Sequence, residues 1–529
     1  MSDRYLLGVD LGTTATKAAL YDCAGRLISE GRADVPLLYP EPGSVEQDLD
    51  AIYASAVTAV AACLSSTSVD PARVAGLAFD SQMAGVGTID ESFRPATNFD
   101  SWLDMRCQPY IEELDRRHGD RITALTGCPP TCNHGPKMLW WMHERTSDFA
   151  RIAKFVMPAC YVAGRFAGLR ADEAFIDRTF LHFTALADTQ RGAWSHELCG
   201  AIGLPVDRLP RIVEPSAIIG EVQPDTARLS GLRAGTPIAA GCGDTAAGAL
   251  GAGVVRPGML LDTAGTASVL ACSTSRFLAD IEHRALMTMR SVVPGIWHPL
   301  GYVGGGGLAL RWFKENFDTP AEAGSSTYER LFDLAAMAPA GCENLFFSPH
   351  LGGRICPSAP AMRGAWQGFS WNHKPAHFVR AILESIGFEY ARYVQIVREH
   401  LDDFNPFEAR VIGGGAQGRV WNQIKADIIN VPYRRVLRTE SATWGSALVA
   451  GAACELIPDL KGTAFEAACL CEETIQTDKA QHARYTAAFE RYLSWQQSLL
   501  EFQSSDAAPI YPEKTQSTTA SNNSERTIL

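Results

Sequence analysis

The chain has 529 residues, of which 46% are hydrophobic and 20% are charged, with a formal net charge of −12 and a pI near 5.5. These proportions are ordinary for a globular enzyme with more than one core. The acidic balance argues against nucleic acid as a partner, because that binding depends on Lys and Arg side chains that neutralise phosphates. No apolar run reaches about 18 residues and the first residues show no signal-peptide pattern, so we expect no membrane contact and a cytoplasmic protein.

The 14 cysteines are scattered along the chain rather than gathered into a disulfide framework. Two pairs are close in sequence, Cys128 with Cys132 and Cys469 with Cys471. Neither has a second Cys or His pair at the spacing of a tetrahedral zinc site. We therefore expect reduced thiols and no structural metal.

A glycine-containing hairpin occupies residues 6–22, LLGVDLGTTATKAALYD. The pattern predicts buried strands over Leu6–Val9 and Lys17–Tyr21, with a third antiparallel strand over Leu27–Gly31. Two interpretations fit the turn at Gly12, Thr13 and Thr14. It is either a hairpin that binds phosphate, with the preceding Asp10 placed to hold a divalent cation, or a tight β-turn capped by that aspartate.

Polar side chains follow the next predicted strand. Apolar spacing predicts a helix over residues 48–66 that packs on the first sheet, and Val74–Phe79 then reads as a buried strand. Asp80, Ser81, Gln82 and Met83 come directly after it. Because open α/β sheets bind ligands at the carboxyl ends of their strands, this group is a candidate wall of a substrate pocket.

Trp102, Asp104 and Arg106 form a second candidate group. A carboxylate and a guanidinium beside an indole can bind the hydroxyls and the apolar face of a polyol. The same spacing is also typical of an ion pair at a helix start, with the tryptophan in the core, and most Asp–Arg pairs are of this structural kind. The sequence leaves both interpretations open.

A later stretch repeats the plan of the first hairpin. Ile238–Ala240 reads as a short strand before Asp244, which either projects into a cleft or caps the helix that follows. Residues 260–270, LLDTAGTASVL, then form a second strand, Gly-Thr turn and strand. A repeat about 250 residues apart indicates two domains of one design that face each other across a cleft.

A third glycine-rich segment, Gly413–Gly418, lies between a predicted strand over Ala409–Ile412 and a helix over Val420–Ile428. It matches the G-x-G-x-x-G fingerprint of dinucleotide-binding proteins. However, it lies late in the chain, and Glu440 is farther away than the expected ribose-binding acid. We interpret the glycines instead as a surface for the adenine and ribose of a nucleotide.

The remaining segments are predicted to support the fold rather than to bind a ligand. Residues 136–168 have a helical pattern with Trp140 and Trp141 in the core, and residues 377–401 predict a long core helix. A last amphipathic helix over residues 480–502 either docks on the core or forms a homodimer contact. Residues 503–529 are polar and rich in Ser and Thr, so we expect a disordered tail.

Several of these segments occur in the order found in the FGGY family of carbohydrate kinases. They are GVDLGTTATKAALYD, GCGDTAAGALGAGVV, DTAGTAS, the four glycines at 304–307, SPHLGGRICP and VIGGGAQGRVWNQIKADI. The resemblance covers about residues 5–455. Within the family the chain is most similar to the xylulose kinases, judged by Gln82-Met83, by the residues from Trp102 to Arg106, and by the Gly415 to Trp421 segment.

The resemblance implies an α/β fold with two actin-like (ribonuclease H-like) domains, each with a mixed sheet and flanking helices. The domains would span residues 1–254 and 255–502, with sugar, ATP and Mg²⁺ bound between them. The implied reaction transfers the γ-phosphate of ATP to a terminal hydroxyl of a ketose, with D-xylulose as the first candidate. Other pentuloses, tetruloses and polyols such as erythritol and glycerol are alternatives; an actin-like ATPase switch or an NAD-dependent dehydrogenase is more distant.

The resemblance also assigns roles to residues. Asp244 matches the catalytic base, contacts the sugar and, with Asp10, lies near the metal. The nucleotide-binding positions are Gly12, Thr13, Thr14, Lys17, Gly265, Thr266, Gly307, Gly415, Ala416 and Arg419. The sugar-side positions are Gln82, Met83, Trp102, Asp104 and Arg106. One departure affects the substrate: Ala84 stands where xylulose kinases usually have a histidine, which removes a possible hydrogen bond to the sugar.

Overall fold

The structure is a computed structural model that describes residues 4–317 and 327–505. Its first half contains β1 Tyr5–Leu11, β2 Ala15–Asp22, β3 Leu27–Asp34, β4 Glu46–Gln47, β5 Val74–Ser81, β6 Val86–Ile89, β7 Pro95–Asp100, β8 Lys154–Val156, β9 Phe175–Asp177, β10 Ala187–Asp188, β11 Ala193–Trp194, β12 Arg211–Val213, β13 Ile218–Glu221, β14 Pro237–Ala239 and β15 Cys242–Gly243. The helices of this half are α1 Leu49–Ser65, α2 Gln108–Thr126, α3 His134–Glu144, α4 Thr146–Arg151, α5 Pro158–Ala167, α6 His196–Ile202, α7 Pro224–Ser230 and α8 Asp244–Gly251.

The second half contains β16 Met259–Ala264, β17 Ser268–Cys272, β18 Met287–Arg290, β19 Trp297–Val303, β20 Phe346–Ser348, β21 Ala365–Gln367, β22 Glu408–Ile412, β23 Tyr433–Val436 and β24 Leu470–Ile475. Its helices are α9 Gly306–Phe317, α10 Thr327–Ala336, α11 Pro375–His400, α12 Arg419–Ile429, α13 Ser441–Ala453, α14 Leu460–Glu466 and α15 Lys479–Ser505. The chain is thus α/β, with two domains that each contain a large mixed sheet.

The two large sheets share one plan. In the first, β1 pairs antiparallel with β2 and parallel with β5, in the order β13-β14-β5-β1-β2-β3, and β15 pairs with the end of β5. In the second, β16 pairs antiparallel with β17 and parallel with β22, in the order β18-β19-β17-β16-β22-β23-β24. Each sheet therefore has a Gly-Thr hairpin at its centre, as the internal repeat predicted.

Two small-residue helices, α8 and α13, join the halves. A Cβ added to Gly251 would lie 1.8 Å from the Ser441 carbonyl oxygen, and one added to Gly445 would lie 2.0 Å from that of Ala247. Likewise, a Cβ on Gly8 of β1 would lie 1.8 Å from the Thr443 carbonyl oxygen. Glycine is required at these positions because the backbones are nearly in contact. Helix α13, late in the chain, thus packs on the first sheet.

Several predicted elements are confirmed and others are corrected. The first three strands, α1 and the long helix α11 lie where the sequence predicted them. Residues 136–168, however, form three helices and a short strand rather than one helical segment, and β5 continues through Asp80 and Ser81. Helix α15 docks on the core, with Tyr492 5.0 Å from the ring of Phe388, and it continues to Ser505. The rest of the predicted tail lies outside the described residues.

Among the described residues, none of the helices combines the length and the apolar character needed to cross a bilayer.

Candidate active site

The first hairpin presents Asp10 at the end of β1. Asp10 lies opposite Lys17 in the β1–β2 pair, and the Gly12 amide donates to the Ala15 carbonyl at 3.2 Å to close the turn. Lys17, a predicted nucleotide-binding residue, donates to both carboxylate oxygens of Glu440 at 2.8 Å. Lys17 is thus engaged by the segment that precedes α13, and the first hairpin is tied to the second half of the chain.

Three carboxylates meet at the ends of β1, β5 and β15. Asp10 is level with Asp80 across the parallel β1–β5 pair, and Asp80 is level with Cys242, two residues before Asp244. Burial raises the pKa of all three: to about 6 for Asp10, to about 7 for Asp244, and well above the usual range for Asp80. The charge of Asp10 adds to the effect at Asp80 and Asp244.

Two carboxylates of this group, those of Asp10 and Asp80, suit a divalent cation, whereas the three together do not bring one oxygen each within 4.8 Å of one another among the described residues. Ser446 of α13 donates to Asp80 Oδ2 at 2.6 Å, whereas the buried Oδ1 has no hydrogen-bond partner among the described residues. An unpartnered buried carboxylate oxygen beside a second carboxylate is unfavourable without a cation or a proton. Oxygen ligands of this kind suit Mg²⁺. Asp10 and Asp80 are therefore the side chains that would hold it, with Asp244 beside them.

Asp244 is the first residue of α8, and Gly243 is the N-cap. Its Oδ1 accepts from the amide of Thr245 at 2.5 Å and from the Thr245 hydroxyl at 3.1 Å. These are the hydrogen bonds to its carboxylate within the described residues. Because the side chain is partly exposed, Oδ2 can receive a hydrogen bond from a molecule in the cleft. Because Gly243 is the N-cap of α8, the interpretation of Asp244 as the N-cap is wrong, and its projection into a cleft stays a prediction.

A polar chain connects the first hairpin to the sugar-side positions. The Trp102 indole Nε1 donates to Thr13 Oγ1 at 3.0 Å, and Thr13 Oγ1 lies 3.4 Å from Gln82 Oε1. Gln82 Nε2 in turn donates to Gln47 Oε1 at 2.6 Å. On the other side, a Cβ on Gly243 would lie 2.6 Å from Met83 Sδ, so the methionine packs against the strand that carries Asp244.

Asp104 and Arg106 have a different environment. The Arg106 guanidinium contacts Asp104 at 2.8 Å, Asp100 at 2.9 Å and Glu46 at 2.7 Å, and it lies 4.2 Å from the ring centre of Trp140. The oxygens of these three carboxylates come within 4.8 Å of one another, as in a metal site, but the guanidinium binds all three. The geometry therefore agrees with the ion-pair interpretation, and contact of these two side chains with a sugar stays a prediction.

The second hairpin lies against other glycine-rich segments. The Gly307 amide donates to the Gly265 carbonyl at 3.0 Å, and the Leu308 amide donates to that of Thr266 at 2.9 Å. A Cβ on Gly415 would lie 2.9 Å from Ala264 Cβ, which places the 3₁₀ turn Gly414–Gln417, with the buried Ala416, beside β16. The five predicted nucleotide-side residues Gly265, Thr266, Gly307, Gly415 and Ala416 thus lie close together. Their glycine-rich backbone could contact a flat ligand.

Arg419 is the predicted nucleotide residue that points elsewhere. Its guanidinium lies 2.9 Å from Glu473, and the side chain is 67% exposed. Two other residues, Gln47 and Glu440, were not predicted as site residues, and Asp80 was predicted as part of a pocket wall but not as a metal-binding residue. Asp80 had a usable signal, because it ends a strand next to Gln82. Gln47 and Glu440 had none, since their partners are 35 and 423 residues away.

Comparison with known proteins gives one consistent result. Residues 5–251 match the N-terminal domain of the FGGY family of carbohydrate kinases, and residues 261–454 match its C-terminal domain. A xylulose kinase of Bacillus subtilis is 28% identical over 449 residues, which are 84% of this chain and 88% of that protein. A gluconokinase of the same bacterium is 26% identical over 435 residues, 80% of this chain and 82% of that protein.

A solved structure of a related protein has the same fold. The crystal structure titled as a xyloylose kinase from Brucella ovis superposes with a TM-score of 0.84 at 25% identity, and covers 94% of this chain and 100% of that one. The polypeptide path described above is therefore that of a known group of enzymes over nearly its whole length.

Proposed function

The chain belongs to the FGGY family of carbohydrate kinases, and from this we propose that it transfers the γ-phosphate of ATP to a terminal hydroxyl of a ketose, with D-xylulose as the first candidate. Enzymes of this family use ATP. The observation that carries the proposal is the partly exposed Asp244, whose pKa is raised to about 7 beside Asp10 and Met83. A base with a pKa near the working pH suits removal of a proton from a hydroxyl.

The proposed mechanism needs little covalent work from the protein. Asp244 Oδ2 accepts the proton of the acceptor hydroxyl while the Thr245 bonds hold Oδ1 in place. The amides of Thr13 and Thr14 and the Thr14 hydroxyl would stabilise charge on the phosphate oxygens. Mg²⁺, which Asp10 and Asp80 would hold, neutralises phosphate charge when bound.

Two observations bear on the identity of the acceptor. Ala84 takes the place of a histidine that is usual in xylulose kinases, and the relatives include a gluconokinase at similar identity. A pocket that loses a polar partner can change its preference strongly. D-xylulose is therefore first on a panel with L-xylulose, D-ribulose, L-ribulose, erythritol, glycerol, fructose and gluconate.

The test is ADP release from MgATP with each compound, for the wild type, Asp244→Ala and Asp244→Asn. One acceptor should raise ADP release well above the background without acceptor, and both variants should lose that increase by roughly 10²- to 10⁴-fold. A loss under about fivefold would remove Asp244 from the role of base. Steady hydrolysis that no compound stimulates would instead favour an ATPase switch.

A further inference from the structure

Two buried cysteines, Cys107 and Cys132, lie side by side behind the Trp102 segment. Cys107 is the N-cap of α2, and Cys132 lies in the loop between α2 and α3. Their Sγ atoms are 3.8 Å apart, and both side chains are under 8% exposed. Formation of a disulfide requires the two sulfurs to approach to about 2.05 Å. Among the described cysteines, this is the one pair whose thiols are in hydrogen-bond contact.

The surroundings of Cys132 favour reaction at its sulfur. The thiol donates to the Asp104 carbonyl at 2.8 Å, and the buried Lys137 ammonium lies 3.4 Å from Sγ. When the thiol proton is lost, the hydrogen bond from Cys107 and the charge of Lys137 stabilise the thiolate and lower the pKa of Cys132 to about 6 despite its burial. The pKa of Cys107 is raised, because its thiol donates that hydrogen bond and is buried. The pair thus has one nucleophilic sulfur and one resolving thiol.

Cys132 borders a cavity that a small oxidant can enter. Cys132 lines a cavity of about 50 Å³ together with Met105 and Gln108 and, from the second half of the chain, Arg354 and Ile355. A water molecule needs roughly 10–15 Å³ of such volume, so the cavity admits hydrogen peroxide. Glutathione disulfide, which joins two tripeptides, is far too large for this cavity.

We propose that Cys107 and Cys132 form a reversible disulfide with hydrogen peroxide as oxidant, and that this bond regulates the sugar side of the cleft. The Cys132 thiolate attacks one peroxide oxygen and becomes a sulfenic acid, and hydroxide leaves. The Cys107 sulfur then attacks the Cys132 sulfur, and the sulfenic oxygen leaves as water with the thiol proton. In total, two thiols and one peroxide give one disulfide and two waters, and a dithiol reductant reverses the change.

The disulfide would act through the segment 101–106. In the reduced state Cys132 Sγ contacts the carbonyls of Asp104, at 2.8 Å, and Trp102, at 3.9 Å. Lys137 donates to the carbonyls of Ser101, at 3.0 Å, and Asp104, at 2.6 Å. A disulfide removes the thiol donor from this arrangement and draws Sγ toward α2. The indole of Trp102, which donates to Thr13, then loses part of its support.

The effect on activity, which rests on the proposed function, is a rise in KM for the sugar. We expect oxidation to raise it about three- to tenfold, while ADP release without sugar changes less than twofold, because a displaced positioning side chain costs substrate alignment first. The response should be absent in Cys107→Ser. Its reduced activity should match the wild type because, within the described residues, the hydrogen-bond partner of Cys107 Sγ is Cys132 Sγ and not a predicted sugar-side residue.

The direct test is peptide mapping of the full chain. The reduced protein is exposed to hydrogen peroxide, its free thiols are alkylated, and a tryptic digest is analysed without reduction. The expected product joins residues 107–116, CQPYIEELDR, to residues 122–137, ITALTGCPPTCNHGPK. Since the second peptide also contains Cys128, the variant Cys128→Ser should keep the link and Cys132→Ser should lose it. Cys469→Ser removes an exposed thiol and should also keep the link, so it is the control for oxidation at the surface.

The outcomes separate this inference from the proposed function. The linked peptide with peroxide, little of it with glutathione disulfide, and a raised sugar KM that a dithiol restores support the proposal. Free Cys107 and Cys132 after exposed thiols have been oxidised would overturn it, as would a complete link with unchanged kinetics. Because mapping needs no substrate, failure to find an acceptor would count against the proposed function alone.

Discussion

The two Gly-Thr hairpins have the same backbone plan but different side chains two residues before the turn. Asp10 precedes Gly12, whereas Thr263 precedes Gly265. The acid of the second hairpin is Asp262, one position earlier, and strand alternation turns it to the opposite face of the sheet. There it pairs with Lys425 of α12 and accepts from Tyr390 of α11 at 2.7 Å. The first hairpin thus places a carboxylate beside Asp80, whereas the second has a threonine at the matched position and turns its acid to the opposite face.

The largest difference between the two hairpins should be the contribution of their ion pairs to the free energy of unfolding. Asp262 and Lys425 are fully buried, while Lys17 and Glu440 are 32% and 30% exposed at the side chain. Lys425→Met leaves a buried carboxylate unpaired, and we expect a loss of about 3–5 kcal/mol in the free energy of unfolding. Glu440→Gln should lose at most about 1 kcal/mol. Urea denaturation measures both.

A double variant tests the reason for this difference. In Asp262→Asn with Lys425→Met, no charge remains at the buried position, so part of the stability should return. If the double variant is no more stable than Lys425→Met alone, the loss comes from packing around the lysine and not from the unpaired charge.

The catalytic difference between the hairpins should appear at Asp10 and Thr263. Asp10→Asn removes a charge that would hold the cation, and kcat/KM should fall roughly 10²- to 10³-fold with the best acceptor. Thr263→Val, at the matched position, should stay within about threefold of the wild type because its side chain is not required for charge stabilisation. Similar losses in both variants would show that the hairpins share the chemistry equally.

The sequence predicted the hairpins because alternation and glycine turns are local signals. It could not predict the way they are used. The pairing of Lys17 with Glu440 joins residues 423 positions apart, and the position of α13 on the first sheet depends on backbone contact at Gly8 and Gly445. The role of Arg106 was ambiguous for a related reason. Its guanidinium contacts Glu41, Glu46 and Asp100, and Glu41 lies 65 residues earlier in the chain.

The division of residues 136–168 was missed for a different reason. Residues 136–141 and 155–164 are buried on all sides, whereas residues 142–151 between them are largely exposed. The continuous apolar runs at the two ends carry no helical spacing that would mark where one helix ends and the next begins. Pro158 begins α5, and the three-residue strand β8 that precedes it pairs with β6. Such a strand is too short to leave a periodic pattern, and its existence depends on a partner about 65 residues earlier.

The pH dependence should follow the first hairpin and its neighbours. The pKa of Asp244 is raised to about 7, so below that pH the carboxyl is protonated and cannot accept the hydroxyl proton. We expect kcat/KM to fall about tenfold per pH unit as the pH drops below 7. The kcat/KM of Thr263→Val should fall with pH in the same way. A flat profile from pH 8 to 5.5 would contradict the assignment of Asp244 as base.

The smallest expected difference concerns the turn glycines. A Cβ at Gly12 would lie 2.9 Å from the Ala15 carbonyl oxygen and 3.8 Å from Asp10 Oδ1, so it both strains the turn and enters the space beside the carboxylate. A Cβ at Gly265 would lie 3.4 Å from the Ala267 carbonyl oxygen, close to ordinary contact. Since overpacking of this kind costs about 1–3 kcal/mol, Gly12→Ala should lower kcat/KM about tenfold, and Gly265→Ala less than about threefold. A larger loss in Gly265→Ala would mean that the second hairpin approaches the nucleotide more closely than the first. The difference in activity between the hairpins would then depend less on the side chain of Asp10 than on the backbone of the second turn.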